Sequence, residues 1–261
     1  MNKSKERAFE ILELYLKEAK EIEFISSIIL VGSLSDDTYT GGPGSDIDLV
    51  HIVSDDIEYK TAEETIFQLI DQINCLTNRD VPISKVVYQK QQLVHPYQYD
   101  FELIPDNIHL INRPIEVFRI LDTGKTIWGD ELIDSIEEPT RDDVLQHEIL
   151  SDKLSLILHE LNPEWSQKYK EVKANPTIRI LTQSVLTTAL ADYYFYTNKN
   201  CSSKYRILSC VERDLPNLSY LHLLKLCHKN RFSPEQMTED DYEEMRREYQ
   251  RDFLQRPRTW L

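Results

Sequence analysis

The sequence predicts an α+β protein: an N-terminal part with a mixed sheet flanked by helices, followed by a C-terminal helical bundle. Three observations carry this expectation. Two short runs rich in β-branched residues, 27–31 and 47–53, come after an opening segment with helical apolar spacing. No glycine occurs beyond residue 140, and apolar residues recur at helical spacing through most of the chain from there to the C-terminus. Between the two parts, Glu137-Glu138-Pro139-Thr140 reads as a linker, so the domains are expected at 1–139 and 140–261.

Each element has its own signal. Ala8, Ile11, Leu12, Tyr15, Leu16 and Ala19 place an amphipathic helix over residues 5–20. The first strand ends at Gly32, and the stretch from Ser33 to Ser45, rich in Gly, Ser, Asp and Thr, is a loop before the second strand. Ala62, Ile66, Leu69, Ile70 and Ile73 mark a helix over 58–74, with strands expected at 84–89 and 97–104, which completes an αββαββ order. Arg113-Pro114 can open a further helix and Gly124 can close it. Thr140, with Asp143 three residues later, resembles a helix start. Helices are then expected near 141–160, 176–197, 204–214, 218–229 and 234–254, the last opened by Ser233-Pro234 and largely solvated.

Composition narrows the function. Forty-five acidic against 30 basic residues give a formal charge of −15, which repels phosphate backbones and sets nucleic acid aside as a main partner. The same field suits a cationic small molecule, and an acidic surface that maintains solubility explains it equally without any ligand. No apolar run reaches the length of a membrane span, and residues 1–7 lack the pattern of a signal peptide, so a cytoplasmic location is expected. Cys75, Cys201, Cys210 and Cys227 form no C-x-x-C pair and read as reduced thiols.

The chemistry concentrates between the first two strands. Residues two apart on a strand point to one side, so Asp46 and Asp48 present two carboxylates on one face, and a hard divalent cation such as magnesium is the natural counter-charge. Gly32 permits close backbone approach after a strand, and Ser33 offers a hydroxyl and an N–H suited to phosphate oxygens. Asp100 and Glu102, on one face of the strand expected at 97–104, can complete a three-carboxylate site.

Val31-Gly32-Ser33, twelve residues, then Asp46-Ile47-Asp48-Leu49 resembles the signature of the DNA polymerase beta-like nucleotidyltransferase superfamily. The resemblance implies that Asp46 and Asp48 bind two magnesium ions and that a third acid completes the site or acts as base. Asp100 or Glu102 takes that role, with Asp100 favoured because Phe101 and Leu103 come after it as the family pattern has them. Gly32, Ser33 and Ser45 would then contact the nucleotide. An N-terminal catalytic domain followed by a helical bundle further resembles the aminoglycoside adenylyltransferases of the streptomycin/spectinomycin type. Ile127-Trp128-Gly129 looks like the close of that family's first domain, and Tyr196-Thr197-Asn198-Lys199 with Ser203-Lys204 resembles its turn and phosphate-reaching lysine. Asn198 stands where that family usually has glycine.

The implied activity is transfer of a nucleoside monophosphate, AMP from ATP, to a hydroxyl of a small and cationic acceptor such as an aminoglycoside, by a monomer or homodimer, which would make it an antibiotic-resistance enzyme. Two other readings stand beside it: a nucleotide-binding regulatory module without turnover, and a protein-modifying nucleotidyltransferase of the toxin type. Lys204 is equally a solvated helix-start lysine, and Tyr193 to Tyr196 are mainly packing residues, one ring of which could stack a nucleobase or sugar. Trp165 is a loose candidate for the drug-binding segment. His51 lies opposite in strand parity to the carboxylates and reads as a packed residue, while the other histidines show no ligand spacing with cysteine or one another.

Overall fold

The computed structural model describes residues 3–41, 45–95, 114–143 and 176–253. Two compact units emerge, one of Met1–Asn112 with Glu116–Glu138 and one of Arg113–Ile115 with Pro139–Leu261.

The first unit is built on a four-stranded mixed sheet. Helix α1 (Lys3–Ala19) leads to β1 (Ile25–Val31), a one-turn 3-10 helix (Gly32–Leu34) and β2 (Asp48–Val53). Then come α2 (Tyr59–Leu76), β3 (Val86–Gln89), the short α3 (Lys90–Val94), α4 (Pro114–Thr123) and β4 (Lys125–Gly129). The sheet order is β3-β2-β1-β4, with β1 antiparallel to β2 and β4, and β2 parallel to β3. The strand expected at 97–104 lies outside the described residues.

Both faces of the sheet are buried, which is why its central strands read as nearly continuous apolar runs. Ile28, Leu30, Leu49 and Val53 face a core completed by Ile11, Leu12 and Tyr15 of α1 and by Ile66, Ile70 and Ile73 of α2. Residues of the other parity, Ile29, Val31, Val50 and Ile52, pack with Leu93 of α3 and with Val117 and Ile120 of α4. This division decides the surroundings of each polar residue on β2. His51 shares the α1 side, and Asp48 shares the α4 side.

β4 was not expected from the sequence. It is short, half-exposed and without alternation, so its strand character comes from pairing along β1 rather than from its own residues.

In the second unit, α5 (Ile178–Thr197), α6 (Ile207–Asp214), α7 (Leu221–Phe232) and α8 (Glu239–Glu248) pack around one core. Leu181, Val185, Leu186, Ala189 and Tyr193 of α5 meet Ile207, Val211, Leu223, Leu224 and Cys227 there. Thr177 caps α5 through its side chain, which accepts from Ile180 N. At the other end Asn198 adopts the left-handed conformation (φ 54°, ψ 29°), and its N–H donates to Tyr194 O. That position favours glycine, and asparagine is the side chain that tolerates it best.

One boundary differs from the sequence reading. A single final helix from Ser233-Pro234 was expected; those residues instead open a 3-10 turn (Pro234–Gln236), and α8 starts after Thr238. Thr238 and Asp241 bond reciprocally, Asp241 N donating to Thr238 Oγ1 at 3.2 Å and Thr238 N to Asp241 Oδ2 at 2.8 Å, which outcompetes the serine-proline start. The segment is also less solvated than its charges suggest, because Met245, Tyr249 and Phe253 enter the core. At the head of the unit, Thr140 and Asp143 form the same reciprocal pair, with Thr140 N donating to Asp143 Oδ2 at 2.7 Å and Asp143 N to Thr140 Oγ1 at 3.2 Å. Among the described residues, no helix is long and apolar enough to cross a membrane.

Candidate active site

The chain leaves β1 at Val31 and turns at Gly32, whose φ of +73° is left-handed. Gly32 O accepts from Ser35 N and Asp36 N, both at 3.0 Å, and so closes the 3-10 turn. Long-range contacts then fix the turn in space. Ser35, nearly fully buried, donates through Oγ to Thr123 O at the end of α4, and Lys125 Nζ of β4 donates to Ser35 O.

Asp48 pairs with Val31 across the β1–β2 ladder, which brings its side chain against Gly32. A Cβ on Gly32 would overlap Asp48 Oδ2. Glycine is therefore required twice, for the backbone conformation and for the space the carboxylate occupies. Ile47 anchors the approach to β2. It is fully buried, bridges to Ile83, donates to Pro82 O at 2.8 Å and accepts from Ser84 N at 2.9 Å. Asp46 and Asp48 flank this anchored residue and are both half-buried.

The sequence reading missed a cation at this site. Arg119 of α4 extends along the face that carries Asp48, with Nη1 3.6 Å from Asp48 Oδ2 and Nη2 2.9 Å from Glu116 Oε2. Burial works against its charge, but Glu116, Asp48 and Asp46 hold its pKa above the ordinary value. Helical spacing in 114–123 signals the helix and not which polar residue would find an acid; that depends on where α4 docks. Burial raises the pKa of the Tyr39 hydroxyl, and the charge of Asp46 adds to the rise.

Ser33 and Ser45 are half-buried beside the turn and beside Asp46. Asp100 and Glu102 lie outside the described residues, as do Trp165 and residues 42–44 of the loop. Lys204 belongs to the second unit, where it sits in a turn three residues ahead of α6 rather than at a helix start; the turn is closed by Arg206 N and Ile207 N donating to Ser203 O. Of the aromatic run, Tyr193 and Tyr194 are buried and Tyr196 is exposed.

His51 is fully buried between Tyr15 and β3. Its Nδ1 lies 2.8 Å from Val86 O, a group that only accepts, so Nδ1 carries the proton and Nε2 accepts from Tyr15 OH at 2.7 Å. Burial pushes its pKa down to about 4. In the second unit, His222 approaches Glu244 and Glu248, a grouping with carboxylates that a search for histidine–cysteine spacing does not reveal. Both acids have arginine partners, Arg247 at 3.4 Å and Arg251 at 3.2 Å, which account for the cluster without a metal.

The donor set at the Gly32 turn suits a hard divalent ion. Asp46 and Asp48 offer only carboxylate oxygens, and the missing Cβ of Gly32 keeps backbone and carboxylate in close reach of a shared ligand.

No protein-family model matches the sequence, and no curated protein does. Among solved structures, the spectinomycin adenyltransferase AAD(9) of Enterococcus faecialis, crystallised with ATP and spectinomycin, aligns over 96% of this chain and 97% of its own length, with a TM-score of 0.55 and 16% identity. A toxin–antitoxin structure with AMP-PNP aligns over 62% of this chain and 96% of its own, with a TM-score of 0.29 and 16% identity. The first match, together with the mixed sheet and the helical second unit, shows that this chain shares its fold with that adenyltransferase.

Proposed function

We propose that the chain is a magnesium-dependent nucleotidyltransferase that moves AMP from ATP to a hydroxyl of a small, cationic, aminoglycoside-like acceptor. The observation that carries this reading is the placement of Asp48 against the left-handed Gly32 turn, with Asp46 two residues before it. The whole-length fold match supports it, since that neighbour was solved with ATP and spectinomycin. The net charge of −15 favours a cationic acceptor through the long-range field.

In the proposed reaction the acceptor oxygen attacks the α-phosphorus, a P–O bond forms, the bond to pyrophosphate breaks and the hydroxyl proton passes to a carboxylate. Magnesium ions, when bound, supply charge neutralisation at the phosphates. Gly32 and Ser33 present N–H and hydroxyl groups to phosphate oxygens, with Ser45 nearby, and Asp46 and Asp48 supply the cation ligands. Asp100 or Glu102 takes the third carboxylate role, and Lys204 a phosphate contact. Residues 140–261 are proposed as the acceptor-binding domain.

The test is incubation with α-labelled ATP, magnesium and a panel of aminoglycosides and spectinomycin. The expected result is label on a small molecule, lost with EDTA and with Asp48→Asn. Label on a protein band would instead identify a protein-modifying enzyme. Nucleotide binding without any pyrophosphate release would identify a regulatory module. No transfer, with nucleotide binding indifferent to Asp48→Asn, would refute the site itself.

A further inference from the structure

A structural arginine ordinarily spends all its N–H groups on fixed acceptors, and Arg119 does so only in part. Its side chain is four-fifths buried, yet its short ion pair is to Glu116 on its own helix. Asp48 stands at 3.6 Å, beyond a good hydrogen bond. Its Nε is buried and has no hydrogen-bond partner among the described residues. A buried donor left in that state is costly, and an incoming anion would relieve the cost.

A divalent ion held by Asp48 Oδ2, the oxygen that Arg119 faces, would lie about 2 Å from it. Since Arg119 Nη1 is 3.6 Å from that same oxygen, the two cations can be no more than about 6 Å apart. Even with water-like screening, repulsion between +2 and +1 at that separation weakens ion binding about tenfold. A nucleotide triphosphate reverses the sign, because its oxygens attract both cations and match the planar guanidinium fork.

We propose that Arg119 changes partners: it neutralises Asp48 when no divalent ion is bound, and turns to the nucleotide phosphates when an ion takes that carboxylate. The proposal rests on reading Asp46 and Asp48 as cation ligands. Its consequence is that ion and nucleotide bind cooperatively, and that the ion alone binds weakly.

The test uses the full chain with Mn2+ alone, followed by electron paramagnetic resonance, and separately a non-hydrolysable ATP analogue with magnesium, followed by calorimetry. Arg119→Met should bind Mn2+ about tenfold more tightly than the wild type, with the analogue bound more weakly. Arg119→Lys keeps the charge and loses the fork, so Mn2+ affinity should stay near wild type while the analogue weakens about threefold to tenfold. Mn2+ affinity unchanged or reduced in Arg119→Met, with Asp48→Asn abolishing ion binding, overturns the role of Arg119 and leaves the site reading intact. Equal Mn2+ binding in the wild type and Asp48→Asn overturns the site reading instead. If Arg119→Met does not fold, judged by its melting transition, Arg119→Lys decides, and an undiminished affinity for the analogue sinks the proposal.

Discussion

Replacing Gly32 with alanine separates the two demands on that position. The left-handed backbone, φ +73°, costs a residue with a Cβ about 1–2 kcal/mol, partly offset because alanine has less unfolded-state freedom to lose. The added methyl would also overlap Asp48 Oδ2, so either the carboxylate or the turn must move. The turn is held by Ser35 through Thr123 and Lys125, so the Asp48 carboxylate is expected to yield. Gly32→Ala should therefore lose about 1–2 kcal/mol in urea denaturation and reduce nucleotidyl transfer at least about tenfold, since displacements near 1 Å at reacting groups carry penalties of that order. Gly41→Ala is the control. It has a similar φ of +68°, but its Cβ would meet Ser4 rather than an aspartate, so it should cost comparable stability and spare Mn2+ binding. If Gly32→Ala folds and binds Mn2+ as the wild type does, the placement of Asp48 against the turn is not what shapes the site.

The buried His51 makes stability depend on pH. Its folded pKa, about 4, lies below the usual unfolded value near 6.5, so its contribution is complete above pH 6.5 and is lost as pH falls toward 4. Unfolding free energies from urea titrations between pH 7 and 4.5 should show a decline approaching about 1.4 kcal/mol per pH unit that His51→Gln lacks; equal slopes in both proteins would refute the assignment. Tyr220→Phe removes the 2.5 Å bond from Tyr220 OH to the buried Asp192, and should lower stability by about 2 kcal/mol in denaturant titration, an unchanged midpoint counting against it. Asn198→Gly should be neutral or stabilising and Asn198→Val should cost about 1–2 kcal/mol; equal melting temperatures would show that the left-handed cap of α5 carries no strain.

Much of the fold was legible because its signals are local. The helical spacing of Ile11, Leu12 and Tyr15, the β-branched runs of β1 and β2, and the Thr140–Asp143 start each depend on residues within one turn or one strand. Asn198 shows the same logic at a helix end, where a substitution for glycine still satisfies a left-handed backbone. The opposite parity of His51 and Asp48 also came from strand geometry, and the structure sets them on opposite faces of the sheet. Competing local signals defeated the reading of the last helix, where Ser233-Pro234 and Thr238–Asp241 both offer starts; the reciprocal capping bonds of the second win, and the packing of Met245 and Tyr249 goes with them.

By itself, then, the sequence determined the alternation of helix and strand, the glycine turn after β1 and the two acids that flank Ile47, because periodicity and turn chemistry act over a few residues. Tertiary structure alone decided the rest. β4 becomes a strand only along β1, Tyr15 becomes the partner of His51 only when α1 covers the sheet, and Arg119 meets Asp48 only because α4 docks on the face of Val50 and Ile52. Each of these joins residues tens of positions apart, and such contacts are set by how whole faces pack together, which no short window of sequence encodes.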